Sequence, residues 1–143
     1  GIQWDATLAF IGDENYNKDS TSKGNYRNND WTIDKETAKS SSDFGETWKP
    51  ISEETDKTKT KTASKSILLT TGASEDFKTK NIYDLAGNVE EWTNEAISTT
   101  YRVLRGGLYY DSGTYSPVSY RSSYDLPSDC GDLIGFRPAL YIK

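Results

Sequence analysis

Asn81-Ile82-Tyr83-Asp84-Leu85-Ala86-Gly87-Asn88-Val89-Glu90-Glu91-Trp92 is the stretch on which the reading of this chain turns. It packs carboxylates, amide side chains and a glycine into one tight run that ends on an indole. Asp84 is followed three positions on by Gly87 and seven positions on by Glu91. Glycine lets the backbone turn with positive φ and aim main-chain carbonyls inward. Calcium takes roughly six to eight oxygens in loose geometry, mixing carboxylates with such carbonyls. On residue types alone the segment is either an acidic turn before a tryptophan or a cation-binding loop. Beyond it lie Arg102-Val103-Leu104-Arg105-Gly106-Gly107, a loop rich in Tyr, Ser and Asp, and Gly135-Phe136-Arg137-Pro138.

A length of 143 residues suits one domain, residues 1–143, with one core. Only 34% of the residues are hydrophobic, yet 13% are aromatic, with ten Tyr and four Trp. That balance predicts a core of a few large rings carrying much loop, because each ring buries far more area than an aliphatic side chain. The net charge is -5. A nucleic-acid partner requires a basic face to displace counterions. Lys57, Lys59, Lys61 and Lys65 alternate with Thr and Ser behind Glu53, Glu54 and Asp56, a solvated pattern. No apolar run approaches the roughly 20 residues that cross a bilayer, so no membrane insertion by this segment is expected.

The missing residue types exclude whole chemistries. With no histidine, Ser-His-Asp and Cys-His nucleophiles and HExxH zinc sites are ruled out. A lone cysteine, Cys130, forms neither an internal disulfide nor a CxxC pair nor a structural zinc site. Any metal held by side chains of this chain rests mostly on oxygen, which points to calcium or magnesium and away from zinc, copper and iron. Methionine is absent, which suggests a processed product or an excised segment.

Along the chain, Trp4, Leu8 and Ile11 form a helical stripe that Gly12-Asp13 stops. From Asp13 to Lys49 the chain is polar and turn-rich, with Asn, Asp, Gly and Ser making turns through side-chain to backbone hydrogen bonds. Tyr26, Trp31, Phe44 and Trp48 are expected to pin these loops to a core. Residues 52–66 are of low complexity and nearly free of apolar side chains, which predicts a long polar loop.

The acidic turn ending on Trp92, the Arg105-Gly106-Gly107 step and the Gly135-Phe136-Arg137 step together resemble the C-terminal half of the formylglycine-generating, or sulfatase-modifying-factor, family. The resemblance implies an α+β, loop-rich, C-type-lectin-like fold, here a partial domain lacking its N-terminal strands, with Gln3-Trp4-Asp5 as counterpart of a Glu-Trp-Glu-like run on the family's helix. It implies calcium ligands at Asp84, the carbonyls of Gly87 and Val89, and Glu91. Family enzymes bind copper through two cysteines after the Gly-Gly pair. Matching outward from Gly106-Gly107 places Asp111 and Ser116 there, and neither supplies a thiolate for soft Cu(I). Cys130 lies outside that stretch among acids that raise its pKa. The chain therefore reads as a non-catalytic member.

Between Gly107 and Gly135, Tyr, Ser, Gly and Asp dominate as they do in antibody loops, where Tyr supplies area and Ser and Gly adapt. Tyr109, Tyr110, Asp111, Tyr115, Tyr120, Ser122, Ser123, Tyr124, Asp129 and Asp132 are the candidate ligand-binding residues, for a protein or a carbohydrate. Tyr109 and Tyr110, being adjacent, point apart if the chain is extended there. The same composition is similar to that of the variable proteins of diversity-generating retroelements, which implies a bacterial or phage surface protein and an extracellular location. Trp92, Arg105, Arg121 and Arg137 are expected to frame the loop, with at least one guanidinium buried against loop carbonyls or carboxylates. Two alternatives stay open: a purely structural domain of a larger surface protein, and a hydrolase built on Asp111, Asp125, Asp129 and Glu91.

Overall fold

The computed structural model describes residues 1–33, 35–51, 60–61, 66–129 and 131–138; at residues 60, 61, 123 and 124 it describes the backbone alone. The expected helical stripe is present. Helix α1 (Ile2–Ile11) buries Trp4, Leu8 and Ile11 and ends on Gly12 at φ 67, whose N–H bonds the Leu8 carbonyl. Gly12 takes the left-handed position that a side chain makes costly. A second short helix, α2 (Glu14–Lys18), starts at Asp13, whose carboxylate accepts from the N–H groups of Asn15 and Tyr16.

Among the described residues the strands are short and fall into four small sheets. Trp31–Thr32 (β1) pairs antiparallel with Thr60–Lys61 (β4), so part of the polar 52–66 stretch is a strand; residues 52–59 and 62–65 lie outside the described residues. Lys39–Ser41 (β2) lies between Lys49–Pro50 (β3) and Leu68–Leu69 (β5). Lys78–Thr79 (β6) and Ile82–Tyr83 (β7) form a hairpin over Lys80-Asn81. Both turn residues have positive φ, 46 and 65, as a two-residue hairpin turn matched to strand twist requires. The main sheet joins Glu90–Ala96 (β8), Arg102–Arg105 (β9), Ser122–Asp125 (β10) and Ile134–Gly135 (β11) in the order β10-β9-β8-β11. β8, β9 and β10 run antiparallel, and β11 lies parallel to β8. The described chain is thus a mixed α+β structure.

Its buried apolar residues form two clusters. One gathers Trp4, Leu8, Ile11, Tyr16, Tyr26, Leu85, Ala86 and Val118. The other gathers Trp31, Ile33, Ala38, Ile51, Leu69, Ala73 and Phe77. Tyr26 and Trp31 anchor their loops as expected. Phe44 and Trp48 do not: they are 53% and 39% exposed, a correction to the expectation that they are core rings. The physical reason is local. Ser41 and Asp43 close the turn by their own hydrogen bonds, so the turn needs no ring beneath it.

A polar seam joins the two clusters. The Asn88 side chain pairs with the Leu69 backbone as a neighbouring strand would, its Oδ1 accepting the Leu69 N–H at 3.1 Å and its Nδ2 donating to the Leu69 carbonyl at 3.0 Å. The same Oδ1 accepts from Asn25 Nδ2 at 2.9 Å, and Asn25 also donates to the Ile67 carbonyl at 2.8 Å. Asn88 holds φ 68, a left-handed value that asparagine tolerates better than most residues. Gly87 before it has φ 70, and a Cβ there would sit 2.6 Å from the Asn25 carbonyl oxygen. Replacing Asn88 by Gly keeps the backbone conformation and deletes the amide, so we predict a loss of about 2–4 kcal/mol in urea unfolding. Asn88→Ala loses about 1 kcal/mol more, because alanine resists positive φ. A Gly variant as stable as the wild type would show that only the backbone angle matters.

Candidate functional site

The acidic turn between β7 and β8 is built from a run of positive φ values at Asp84, Gly87 and Asn88. Its two expected carboxylate ligands face different partners. Asp84 Oδ2 accepts the Gly72 N–H at 2.6 Å. Glu91 grips the Arg137 guanidinium with both oxygens, at 2.9 Å from Nε and 2.6 Å from Nη2. Arg137 Nη2 also donates to the carbonyls of Tyr83 and Asp84, at 3.1 and 3.0 Å. Of the expected calcium donors the guanidinium meets Glu91 alone; the Tyr83 and Asp84 carbonyls it also meets are outside that set. Burial raises the pKa of both Asp84 and Glu91, and Arg137 opposes the rise at each. As a donor set for calcium this arrangement does not fit without Glu91 releasing Arg137, and among the described residues no group of three or more His, Cys, Asp or Glu gathers around one point.

Arg105 frames the loop that follows. It lies on β9 with its side chain 2% exposed, donates to the Ser119 and Tyr120 carbonyls and pairs with Asp5 of α1. The guanidinium also sits 6.0 Å from the centre of the Trp4 ring. Arg121 is half-exposed and pairs with Glu95. The 107–120 loop is tied down from the other side by the 17–28 segment. Val118 N–H donates to Ser20 Oγ at 2.8 Å, Gly113 N–H to Asn28 Oδ1 at 3.1 Å, and Arg27 N–H to the Asp111 carbonyl at 3.0 Å. Fully buried Tyr26 completes the frame, its hydroxyl within hydrogen-bond reach of the Gly106 and Ser116 carbonyls at 2.9 and 2.8 Å.

On this frame the candidate ligand-binding residues separate. Tyr115 and Tyr120 are 71% and 39% exposed, with ring centres 6.3 Å apart. Tyr109 is buried and Tyr110 half-buried. Their rings meet edge to face at 5.4 Å, a correction to the expectation that they point apart. The chain is not extended there: a turn closed by the Asp111 N–H on the Leu108 carbonyl brings the two side chains together. Ser122 and Asp111 are half-buried, whereas Asp129 and Asp132 are exposed. Asp129 accepts from the Leu126 N–H. The side chains of Ser123 and Tyr124, and the whole of Cys130, lie outside the described residues. Trp92 is half-buried beside Trp4 and Arg137, lining a cavity of about 410 Å³.

Asp111 and Ser116 touch: Ser116 Oγ donates to Asp111 Oδ2 at 2.8 Å, and Ser116 is buried. Near them Glu90, also buried, has its pKa raised to about 7, first by burial and then by the charges of Asp125 and Asp111.

A family model, the sulfatase-modifying factor enzyme 1-like domain, matches residues 11–142. The chain belongs to that family. Neither a curated protein nor a solved structure matches it. Within this sulfatase-modifying-factor-type domain, sequence reasoning missed Glu90 as a buried acid, because nothing in a Glu-Glu pair says that both members are buried or which of them gains a cation. The alternation of β8 separates their surroundings: Glu90 feels the charges of Asp125 and Asp111, and Glu91 pairs with Arg137. Sequence reasoning also missed a groove beside Phe44 and Trp48, since isolated rings in a polar stretch read as anchors.

Glu90 makes stability depend on pH with a defined sign. Its folded pKa lies above the ordinary 4.5, so the folded state keeps a proton that the unfolded state releases between about pH 4.5 and 7. That contribution is complete below the window and is lost as pH rises through it. Between about pH 5 and 8 the wild type therefore loses more stability than Glu90→Gln in matched denaturant titrations. Parallel profiles would show that Glu90 titrates normally.

Proposed function

We propose that this domain is a non-catalytic binding module with a C-type-lectin-like fold, and that its contact face is the loop carrying Tyr115 and Tyr120. The observation that carries the reading is the exposure of two neighbouring rings on a loop clamped by buried Arg105 and Tyr26. Rings left in water on a held surface mark a contact area, and tyrosine gives large area for few side-chain torsions. The partner is a protein surface. Nucleic acid suits the face poorly, because Asp111, Asp125 and Glu90 cluster beside it. Among the described residues no helix is long and apolar enough to cross a membrane.

The absence of catalysis is supported by Asp111 and Ser116 at the positions of the family's copper-binding cysteines, where they hydrogen-bond to each other. A hydrolytic carboxylate pair is disfavoured because Glu91 is engaged by Arg137 and Asp111 by Ser116. Calcium is left out of the reading, since Glu91, one of its expected donors, is paired with Arg137. The Tyr, Ser, Asp and Gly content from Gly107 to Gly135 supports a loop diversified by a retroelement and displayed outside the cell. A near-copy of this gene segment, differing at adenines, would support that origin, and its absence from the source genome would count against it.

The double variant Tyr115→Ser, Tyr120→Ser tests the face. In capture from a surface-protein extract, the wild type retains a partner that the variant does not, while the melting temperature changes by less than about 2 °C. Equal retention, or unfolding of the variant, overturns the assignment. Incubation of the domain with Cu(I), oxygen and a cysteine-containing peptide should yield no aldehyde, and aldehyde formation would contradict the non-catalytic reading.

A further inference from the structure

A second surface shares neither Tyr115 nor Tyr120. The turn after β2 is rigidly built: Ser41 Oγ donates to Asp43 Oδ1 at 2.6 Å, Gly45 N–H to Ser41 Oγ at 2.9 Å, and Thr47 N–H to Asp43 Oδ1 at 2.9 Å. Within it Phe44 is held at φ 58 and Gly45 at φ 91. A bulky ring in the left-handed region is strained, and such strain gathers at ligand clamps. Here it holds Phe44 out in solvent beside exposed Trp48.

The two rings line a groove of about 570 Å³ together with the apolar side chains of Leu68, Val89 and Ile134. Glu46, Asp132 and Thr71 are exposed along the lining. No Lys or Arg is found among the described lining residues.

We propose that this groove binds a neutral glycan, with Trp48 and Phe44 against the faces of pyranose rings and Glu46 and Asp132 accepting hydrogen bonds from their hydroxyls. Charge selects the class. Two carboxylates, with no cation among the described lining residues, repel phosphate, sulfate and uronate groups. A purely apolar ligand would leave those carboxylates desolvated and unpaired. A sugar offers apolar C–H faces to the rings and hydroxyl donors to the acids. It also uses Thr71, whose hydroxyl both donates and accepts, whereas a basic peptide would use acceptors alone. The inference goes beyond the loop face, because it concerns different residues and a different ligand.

The test uses the whole chain, isotopically labelled, titrated with neutral hexasaccharides of glucose, mannose and N-acetylglucosamine. A sulfated oligosaccharide and an arginine-rich peptide serve as controls. At least one neutral sugar should shift the Trp48 indole N–H resonance saturably. Trp48→Ala should weaken that sugar's affinity about tenfold or more, as loss of a central aromatic contact does. The partial exposure of Trp48 leaves the variant folded, which its amide spectrum checks, and Glu46→Gln should weaken binding while keeping every ring. Tyr115→Ser, Tyr120→Ser should bind the sugar like the wild type, which keeps this outcome separate from that of the loop face. No shift with any neutral sugar, unchanged affinity in Trp48→Ala, or tighter binding of either control would overturn the proposal.

Discussion

Asn88 is the constraint on which the rest depends. Its side-chain amide stands in for a strand beside Leu69, its Oδ1 also takes an Asn25 donor, and its main-chain groups pair with Asn25 and Tyr109. One buried residue therefore fixes four segments: the 24–26 turn, β5, the acidic turn and the start of the tyrosine loop. Two modest apolar clusters would otherwise have little to orient them, since the chain is rich in loop and its strands are mostly two residues long. A buried amide with its hydrogen bonds made specifies geometry where apolar packing alone tolerates sliding.

From that seam the consequences run outward through guanidinium-to-carbonyl contacts, buried at Arg105 and partly exposed at Arg137. Arg105 reaches from β9 to the Ser119 and Tyr120 carbonyls and to Asp5, so helix, sheet and loop share one guanidinium. Arg137 does the same for the acidic turn, joining Glu91 to the carbonyls of Tyr83 and Asp84. Arginine suits this work because its planar fork meets several acceptors at once and keeps its charge when buried. In a fold with so much irregular backbone, many carbonyls lack strand partners, and these two side chains answer for some of them. Binding surfaces held this way need little ordering on contact, which limits the entropic cost of association.

Much of this was legible in the sequence, and the reasons differ by element. Trp4, Leu8 and Ile11 gave the first helix because its spacing and its Gly12 stop are local properties. The acidic turn, the Arg105-Gly106-Gly107 step and the Gly135-Phe136-Arg137 step gave the family, since their glycines and charged groups have narrow geometric uses. The buried arginine was expected and is Arg105. What stayed hidden depends on long-range contact. Arg137 pairs with Glu91 across 46 positions, a contact that no local pattern announces. Tyr109 and Tyr110 read as a diverging pair because the turn at Leu108 to Asp111 carries no Gly-Pro signal. Phe44 and Trp48 read as core because nothing local reveals that Asp43 and Ser41 stabilise their turn unaided.

The central claim is that the tyrosine loop is a preorganised surface rather than a mobile strand of chain. Native-state amide hydrogen exchange resolves it residue by residue. The N–H groups of Tyr109, Ser116, Val118 and Tyr120 donate to the Asn88 carbonyl, the Ser112 carbonyl, Ser20 Oγ and the Pro117 carbonyl. The account predicts that Tyr109, Ser116 and Val118 exchange as slowly as the amides of Val103 and Leu104 in β9. Exchange of those three at the rate of an unfolded peptide, with β9 still protected, would contradict it.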